Sequence, residues 1–287
     1  MRLVKIWLKV LLKKPQVIRI SRWGILFKFI MAIMTDLLQL AITWNAMGHA
    51  KANQATLIAL QFWMSAMVNL AIAQRYLVIV LVRAHYHLLN IELRQVIDES
   101  RILSSQPRRK GAFMTKCCSL ADQVDNIAKL QSQLQMIVSH LEEVFGIEAL
   151  LVYSGYYIFS IAITYMIYSI LKYGLDNLEM TLTSTVLSFT WCFFFYLDAI
   201  LNLFNTLNLQ DDHKKLARLL EERTLFDHTL DVRLEESFES MQLQLIRNPF
   251  KIEIVKLFPV SRNSAMAMFG SLVTHSVFLI QYDMEYF

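Results

Sequence analysis

Residues 263–287 read NSAMAMFGSLVTHSVFLIQYDMEYF. No Lys, Arg, Asp or Glu interrupts the run from Asn263 to Tyr282, about twenty residues, which is the length an α-helix needs to cross the hydrocarbon of a bilayer. The run is not uniformly apolar. Ser264, Ala267, Ser271, Thr274, Phe278 and Gln281 recur at spacings of three or four, so they share one helix face while Met266, Val273, Val277 and Ile280 point elsewhere. A stripe of small and polar residues serves either close helix packing or a surface other than lipid. Gln281 adds a carboxamide that requires a hydrogen-bond partner or water. Thr274, Phe278 and Gln281 lie along one line, a polar-apolar-polar order that a water-lined path with a hydrophobic constriction requires.

The rest of the chain extends this reading. Of 287 residues, 55% are apolar, and the mean hydropathy is +0.39, too hydrophobic for an ordinary soluble domain. Four further apolar spans are predicted at 25–44, 57–82, 147–171 and 181–204. The first carries Asp36 and Gln39, the second Gln61, Asn69, Gln74 and Arg75, and the fourth Asp198, Asn202 and Asn205 near its far end. Asp36, Arg75 and Asp198 are the candidate intramembrane polar sites, since a lone charge in hydrocarbon costs a few kcal/mol or more. Asp36 and Arg75 must face protein or water. Mutual pairing is one solution, a polar pocket or ion path a second, and snorkelling of Arg75 toward the headgroups a third.

Outside the spans the pattern stays helical. Segment 1–24 places Arg2, Lys5, Lys9 and Lys13 opposite Ile6, Val10 and Leu11, a basic amphipathic segment suited to an anionic lipid surface. After Arg83 a stripe through Leu88, Leu89, Leu93, Val96 and Ile97 continues the second span. Ser104 to Gly111, with Pro107, reads as a loop. Leu120, Val124, Ile127, Leu134, Ile137, Leu141 and Val144 then recur at threes and fours and run without a Pro into the third span. One helix of about fifty residues, near 75 Å, is the expectation. A stripe through Leu209, Leu216, Leu219 and Leu220 prolongs the fourth span, and Leu234, Phe238, Met241 and Leu245 form a short amphipathic helix stopped by Pro249. The extended run FKIEIVKLF ends at Pro259.

The fold class is therefore all-α, a polytopic membrane helical bundle with long cytoplasmic helix extensions. Its expected organisation is a basic cytoplasmic segment 1–24, two spans within 25–82, a cytoplasmic helical region 83–146, two spans within 147–204, a second cytoplasmic helical region 205–262, and a last span with a short external tail, 263–287. Lys and Arg concentrate in 1–24, 83–146 and 205–262, whereas the alternate connections hold only Lys51 and Lys172. The positive-inside rule then places the N-terminus in the cytoplasm and, after five spans, the C-terminus outside.

The string Thr274-His275-Ser276-Val277-Phe278-Leu279-Ile280-Gln281-Tyr282 resembles the last-helix signature of insect gustatory receptors, which is usually Thr-Tyr, five apolar residues and Gln-Phe. The approach FESMQLQLIRNPFKIEIVKLFPVSRNSAMAMFGSLVTH resembles that family too, as does Leu88 to Arg94. Three departures stand out: His275 in place of Tyr, Tyr282 in place of Phe, and Lys256 where Gly is common. The resemblance implies seven spans with the same orientation as above, so that two spans would precede this sequence. It also implies a subunit of a ligand-gated cation channel that detects a small-molecule tastant at the plasma membrane. Four identical or related subunits would surround a pore lined by the last helix. Ser271, Thr274, Phe278, Gln281 and Tyr282 are then the pore-lining or gate residues.

The sequence offers no catalytic residues. HExxH, Walker A, GxSxG and GxGxxG are absent, so neither an enzyme nor a cofactor is expected. Cys117 and Cys118 are adjacent and Cys192 lies in a span, so neither a disulfide framework nor a metal site is expected. Asp211 to His213 lies on a charged stretch and reads as a solvated face. The basic residues near Arg108 lack the interleaved aromatics of a nucleic-acid platform, so membrane lipid and partner helices are the expected neighbours. Two alternatives belong to other classes: a non-conducting or truncated subunit of the same family, and a transporter, which would need internal repeats and broken spans that are not seen.

Overall fold

A computed structural model describes residues 16–49, 52–104, 110–174, 181–224 and 231–286. Most of the basic segment 1–24, the loop expected around Pro107 and the connection after Gly174 lie outside the described residues. The elements are α1 (Gln16–His49), α2 (Ala52–Ser104), α3 (Lys110–Tyr173), α4 (Leu182–Thr224), α5 (Val232–Arg247), the two-residue strands β1 (Glu253–Ile254) and β2 (Phe258–Pro259), and α6 (Arg262–Tyr286). Among the described residues five helices are long and apolar enough to cross a membrane. The all-α class holds. With 64 residues, or about 96 Å, α3 exceeds the expected length because it already begins at Lys110 and runs on without a break.

The chain divides into two compact units. The first comprises, among described residues, parts of 16–22, 78–143 and 205–252. Its interior is leucine-rich: Leu89, Leu93, Leu120, Leu134, Leu209, Leu216, Leu220, Leu234, Phe238 and Met241 are all at most 2% exposed. Removing one such side chain from water contributes about 1.5–3 kcal/mol, so this stripe is what holds the extensions of α2, α3 and α4 together with α5. Leu134 and Leu141 are buried inside the chain's own unit. A charge at either position would therefore attack this fold before it could report on contacts between chains.

Two polar networks cross this unit. Gln131, fully buried, donates from Nε2 to Gln135 Oε1 (3.0 Å) and accepts from Gln244 Nε2 (2.7 Å), while Gln244 also donates to the Ala128 carbonyl and Gln135 to the Asn248 carbonyl. These amides tie α3 to α5. Elsewhere Arg83 donates to Asp212 (3.4 Å) and Asn205 (3.3 Å), and Asn90 donates to the Asp212 carbonyl (2.9 Å). Tyr86 meets His213 edge-on at 5.7 Å, and His213 stacks on Phe250 at 4.8 Å. The expected solvated face at Asp211 to His213 is thus corrected at His213, which is 7% exposed. Burial lowers its pKa to about 4, and burial raises that of Asp212 against the pull of Arg83.

The second unit comprises 23–77, 144–204 and 253–286. Large apolar side chains cover its surface: Trp23, Phe29, Trp44, Leu171, Phe193 and Phe269 are all more than 60% exposed. That is the surface a bilayer solvates. The run expected to be extended forms a hairpin in which Glu253 pairs with Pro259 and Ile254 with Phe258. Leu257 N–H closes the turn on the Ile254 carbonyl at 3.0 Å. Val255 and Lys256 both have positive φ, 53° and 56°, the left-handed conformation that a tight hairpin turn requires and that Gly adopts without strain. The Gly that the resemblance leads one to expect at Lys256 has a physical reason here.

Candidate functional site

Helix α6 starts on a reciprocal serine cap. Ser261 N–H donates to Ser264 Oγ (2.9 Å) and Ser264 N–H to Ser261 Oγ (3.1 Å), which satisfies two amides that the first turn leaves open. Ser264, the first residue of the small-polar stripe, is therefore used in capping.

Farther along, α6 presents a contact side and an open side. On the contact side Tyr157 of α3 reaches Ser271 Oγ at 2.8 Å and His275 Nδ1 at 3.0 Å, and His275 Nδ1 also meets the Ser271 carbonyl at 2.8 Å. A ring nitrogen facing a carbonyl carries the proton, so Nδ1 is the donor and the Tyr157 hydroxyl accepts from it. Ser276 and Asp283, seven residues apart, are buried, at 5% and 7% exposure. On the open side Thr274, Phe278 and Gln281 are exposed, Phe278 at 65%. Thr274 returns its hydroxyl to the Gly270 carbonyl (3.0 Å). Of the five residues singled out on this helix, Thr274, Phe278, Gln281 and Tyr282 remain exposed, and Ser271 is engaged by Tyr157.

The intramembrane polar residues find other partners than the sequence suggested. Asp36 and Arg75 do not pair: Asp36 accepts from Asn69 Nδ2 at 2.9 Å, and the charge of Arg75 acts on Glu148 and Tyr153 of α3. The reason is that Asn69, six residues before Arg75 on α2, reaches Asp36 of α1, while α3 supplies a carboxylate for Arg75. Asp198 forms an ion pair with Lys28 and accepts from Asn202 at 3.2 Å. Lys28 is 4% exposed, and its Nζ also lies 5.4 Å from the Tyr76 ring centroid. Both partners of this pair are charge-satisfied inside the unit, as a buried pair must be.

Two clusters lie outside the residues that the sequence singles out. Between α3 and α4 an aromatic seam joins Tyr156 to Phe195 (4.6 Å), Phe159 to Trp191 (5.5 Å) and Trp191 to Phe195, stacked at 5.0 Å. Tyr196 donates to Ser160 at 2.8 Å, and Trp191 Nε1 is buried with no acceptor among the described residues. The run Trp191-Cys192-Phe193-Phe194-Phe195-Tyr196 was the available signal. At the end of α3, Asp283 of α6 accepts from Tyr165 (2.9 Å), Lys172 (2.8 Å) and Tyr173 (3.3 Å). In the sequence Asp283 marks only the end of the apolar run.

These features, five apolar helices and a polar-lined last helix, agree with the comparisons. The sequence profile of the 7tm chemosensory receptors matches residues 1–286. The chain is 55% identical over 287 residues to candidate gustatory receptor 36a of Drosophila melanogaster, covering 100% of this chain and 73% of that one. It is 53% identical over 274 residues to candidate gustatory receptor 36c of the same species (96% and 70% covered), and 45% identical over 287 residues to candidate gustatory receptor 36b (100% and 73%). The resemblance seen in the last helix thus extends along the whole sequence, and the chain belongs to the 7tm chemosensory receptor family, among its gustatory receptors.

Proposed function

We propose that the chain is a gustatory receptor subunit that forms a ligand-gated cation channel with identical or related subunits, four around one pore, in the plasma membrane. Its N-terminus is cytoplasmic and its C-terminus external. The carrying observation is the asymmetry of α6. Ser271, His275 and Asp283 bond to α3, whereas the Thr274, Phe278 and Gln281 line, the polar-bearing part of an open side that also includes Val273 and Val277, is left open by its own chain. In this reading the open line faces the pore, with Phe278 as the constriction and Gln281 and Tyr282 toward the outer mouth.

A small-molecule tastant bound among α1 to α4 gates by population shift, favouring the arrangement in which the last helices part. The aromatic seam around Trp191 offers flat apolar surface and one unused N–H donor, the combination that holds and orients a small ligand. Whole-cell recording from cells expressing the chain, alone and with related subunits, tests the reading. Phe278→Ala is expected to raise unstimulated current about fivefold, the population change that roughly 1 kcal/mol of lost closed-state packing produces. Gln281→Glu is expected to strengthen block by divalent cations, and Val277→Ala to do neither. Equal effects at Val277 and Gln281 would assign the open side to lipid or to a neighbouring helix.

A further inference from the structure

The end of α3 carries a group of side chains that neither the pore line nor the aromatic seam uses. Tyr165, Tyr168 and Lys172 recur at helical spacing, with Tyr173 beside them, so one end of one helix presents three phenols and one ammonium. The Lys172 ammonium lies 4.8 Å from the Tyr173 ring centroid and 5.7 Å from that of Tyr168, within the range at which an aromatic face attracts a cation. Asp283 closes the group from α6. Its Oδ2 takes Lys172 at 2.8 Å and Tyr173 OH at 3.3 Å, and its Oδ1 takes Tyr165 OH at 2.9 Å. The carboxylate is nearly covered, with its side chain 9% exposed against 29% for Lys172.

Carboxylate, phenol oxygens and ring faces together form the recognition set for a primary ammonium, which needs hydrogen-bond acceptors for its N–H groups and π-faces for the remainder of its charge. A hydroxyl or an alkyl group would use only part of that set. We propose that Asp283, Tyr165, Tyr168 and Tyr173 form an ammonium-binding site whose resident ligand is Lys172 of the same chain, and that this tethered ligand positions the last turn of α6. Gln281 and Tyr282 immediately precede Asp283, so a fixed carboxylate fixes the rotation of both. Asp283 and Lys172 act as positioning residues. When Lys172 is shortened, the vacated site accepts a free primary alkylammonium ion.

The inference rests on the channel reading only for its electrical readout. Its structural test uses the full chain in lipid nanodiscs and hydrogen-deuterium exchange of residues 276–286. Lys172→Ala is expected to speed exchange there about tenfold, as loss of one charge-assisted bond to a covered carboxylate implies. Millimolar n-propylammonium should restore protection, and n-propanol, the uncharged counterpart, should not. Lys172→Arg should keep protection, and Lys172→Met, which retains the length of the side chain, should lose it even if the alanine variant accumulates poorly. Adding Asp283→Asn to Lys172→Ala should abolish the response to n-propylammonium. Unchanged exchange in both Lys172→Ala and Lys172→Met, or equal rescue by n-propanol, would overturn the ammonium site. In recordings Lys172→Ala should raise unstimulated current, and external n-propylammonium should lower it again. Exchange that responds as expected in a chain that never conducts would leave the ammonium site standing and remove the channel reading alone.

Discussion

The two units of the chain keep their apolar residues in opposite places. The largest fully buried side chains, from Tyr86 and Leu89 through Leu134 to Phe238 and Met241, all belong to the first unit. In the second, Trp23, Phe29, Trp44, Leu171 and Phe269 face outward, while Lys28, Asp198, Asp36, Asn69, Tyr157 and Asp283 make their contacts within. Burial of apolar surface drives assembly only where the competing solvent is water. In lipid a leucine gains nothing by turning inward, so polar groups take the interior and hydrogen bonds become the specific glue. One sequence thus follows two rules of assembly, and each helix of the set α2, α3 and α4 obeys both along its length.

That contrast can be broken most sharply at Lys28. Lys28→Met leaves the Asp198 carboxylate covered without its cation and should destabilise the second unit by about 3–5 kcal/mol, as much as Leu89→Ala costs the first, about 2–5 kcal/mol. Lys28→Met combined with Asp198→Asn should recover most of the loss. Unfolding of the purified protein in mixed micelles measures all three; a single Lys28→Met variant as stable as the parent would show that the pair is dispensable.

A smaller effect separates the units by pH. His213 has a folded pKa of about 4 because it is buried, below the ordinary value near 6.5. Between those values the unfolded chain binds a proton that the folded chain refuses. Stability of the first unit should therefore fall as pH drops from about 6.5 to about 4, by about 3 kcal/mol. Asp212, its pKa raised by burial, contributes with the opposite sign over the lower part of that range, while Arg83 and His87 favour its charged form. His213→Phe should flatten the response, read by thermal melting across the range. A parent protein with a flat profile would mean that the His213 pocket admits the proton. The smallest effect belongs to the hairpin: Lys256→Gly should stabilise it by about 1 kcal/mol by relieving the left-handed strain, seen as slower exchange of the Leu257 amide. No gain would imply that contacts around the turn, such as Val255 against Gly146, already compensate.

The helices were legible because the apolar periodicity from Leu120 to Val144 runs on without a Pro, and composition alone marked the membrane class. Pairings were not. Asp36 and Arg75 looked like partners because both were charged and intramembrane, but which groups meet depends on helix rotation, and Asn69 and Glu148 were closer to hand. Lys28 lies inside the first expected span, but its partner Asp198 is 170 positions away, so nothing local marks the pair. The turn in FKIEIVKLF was hidden since Val255 and Lys256 carry none of the Gly or Asn chemistry that announces a left-handed turn. The open line on α6 was readable by spacing, whereas the group around Asp283 joins residues more than a hundred positions apart.

Gln131 and Gln244 give the first unit a feature its leucines cannot. A stripe of similar apolar residues can slide by a turn with little penalty, but a buried amide that must meet another amide can be satisfied in only one alignment. The consequence is a pattern of inheritance. Along this seam leucine can drift to isoleucine or methionine one position at a time, whereas Gln131 and Gln244 can change only as a pair. Two descendants that settled on different pairs would carry the same fold with helices that no longer recognise each other.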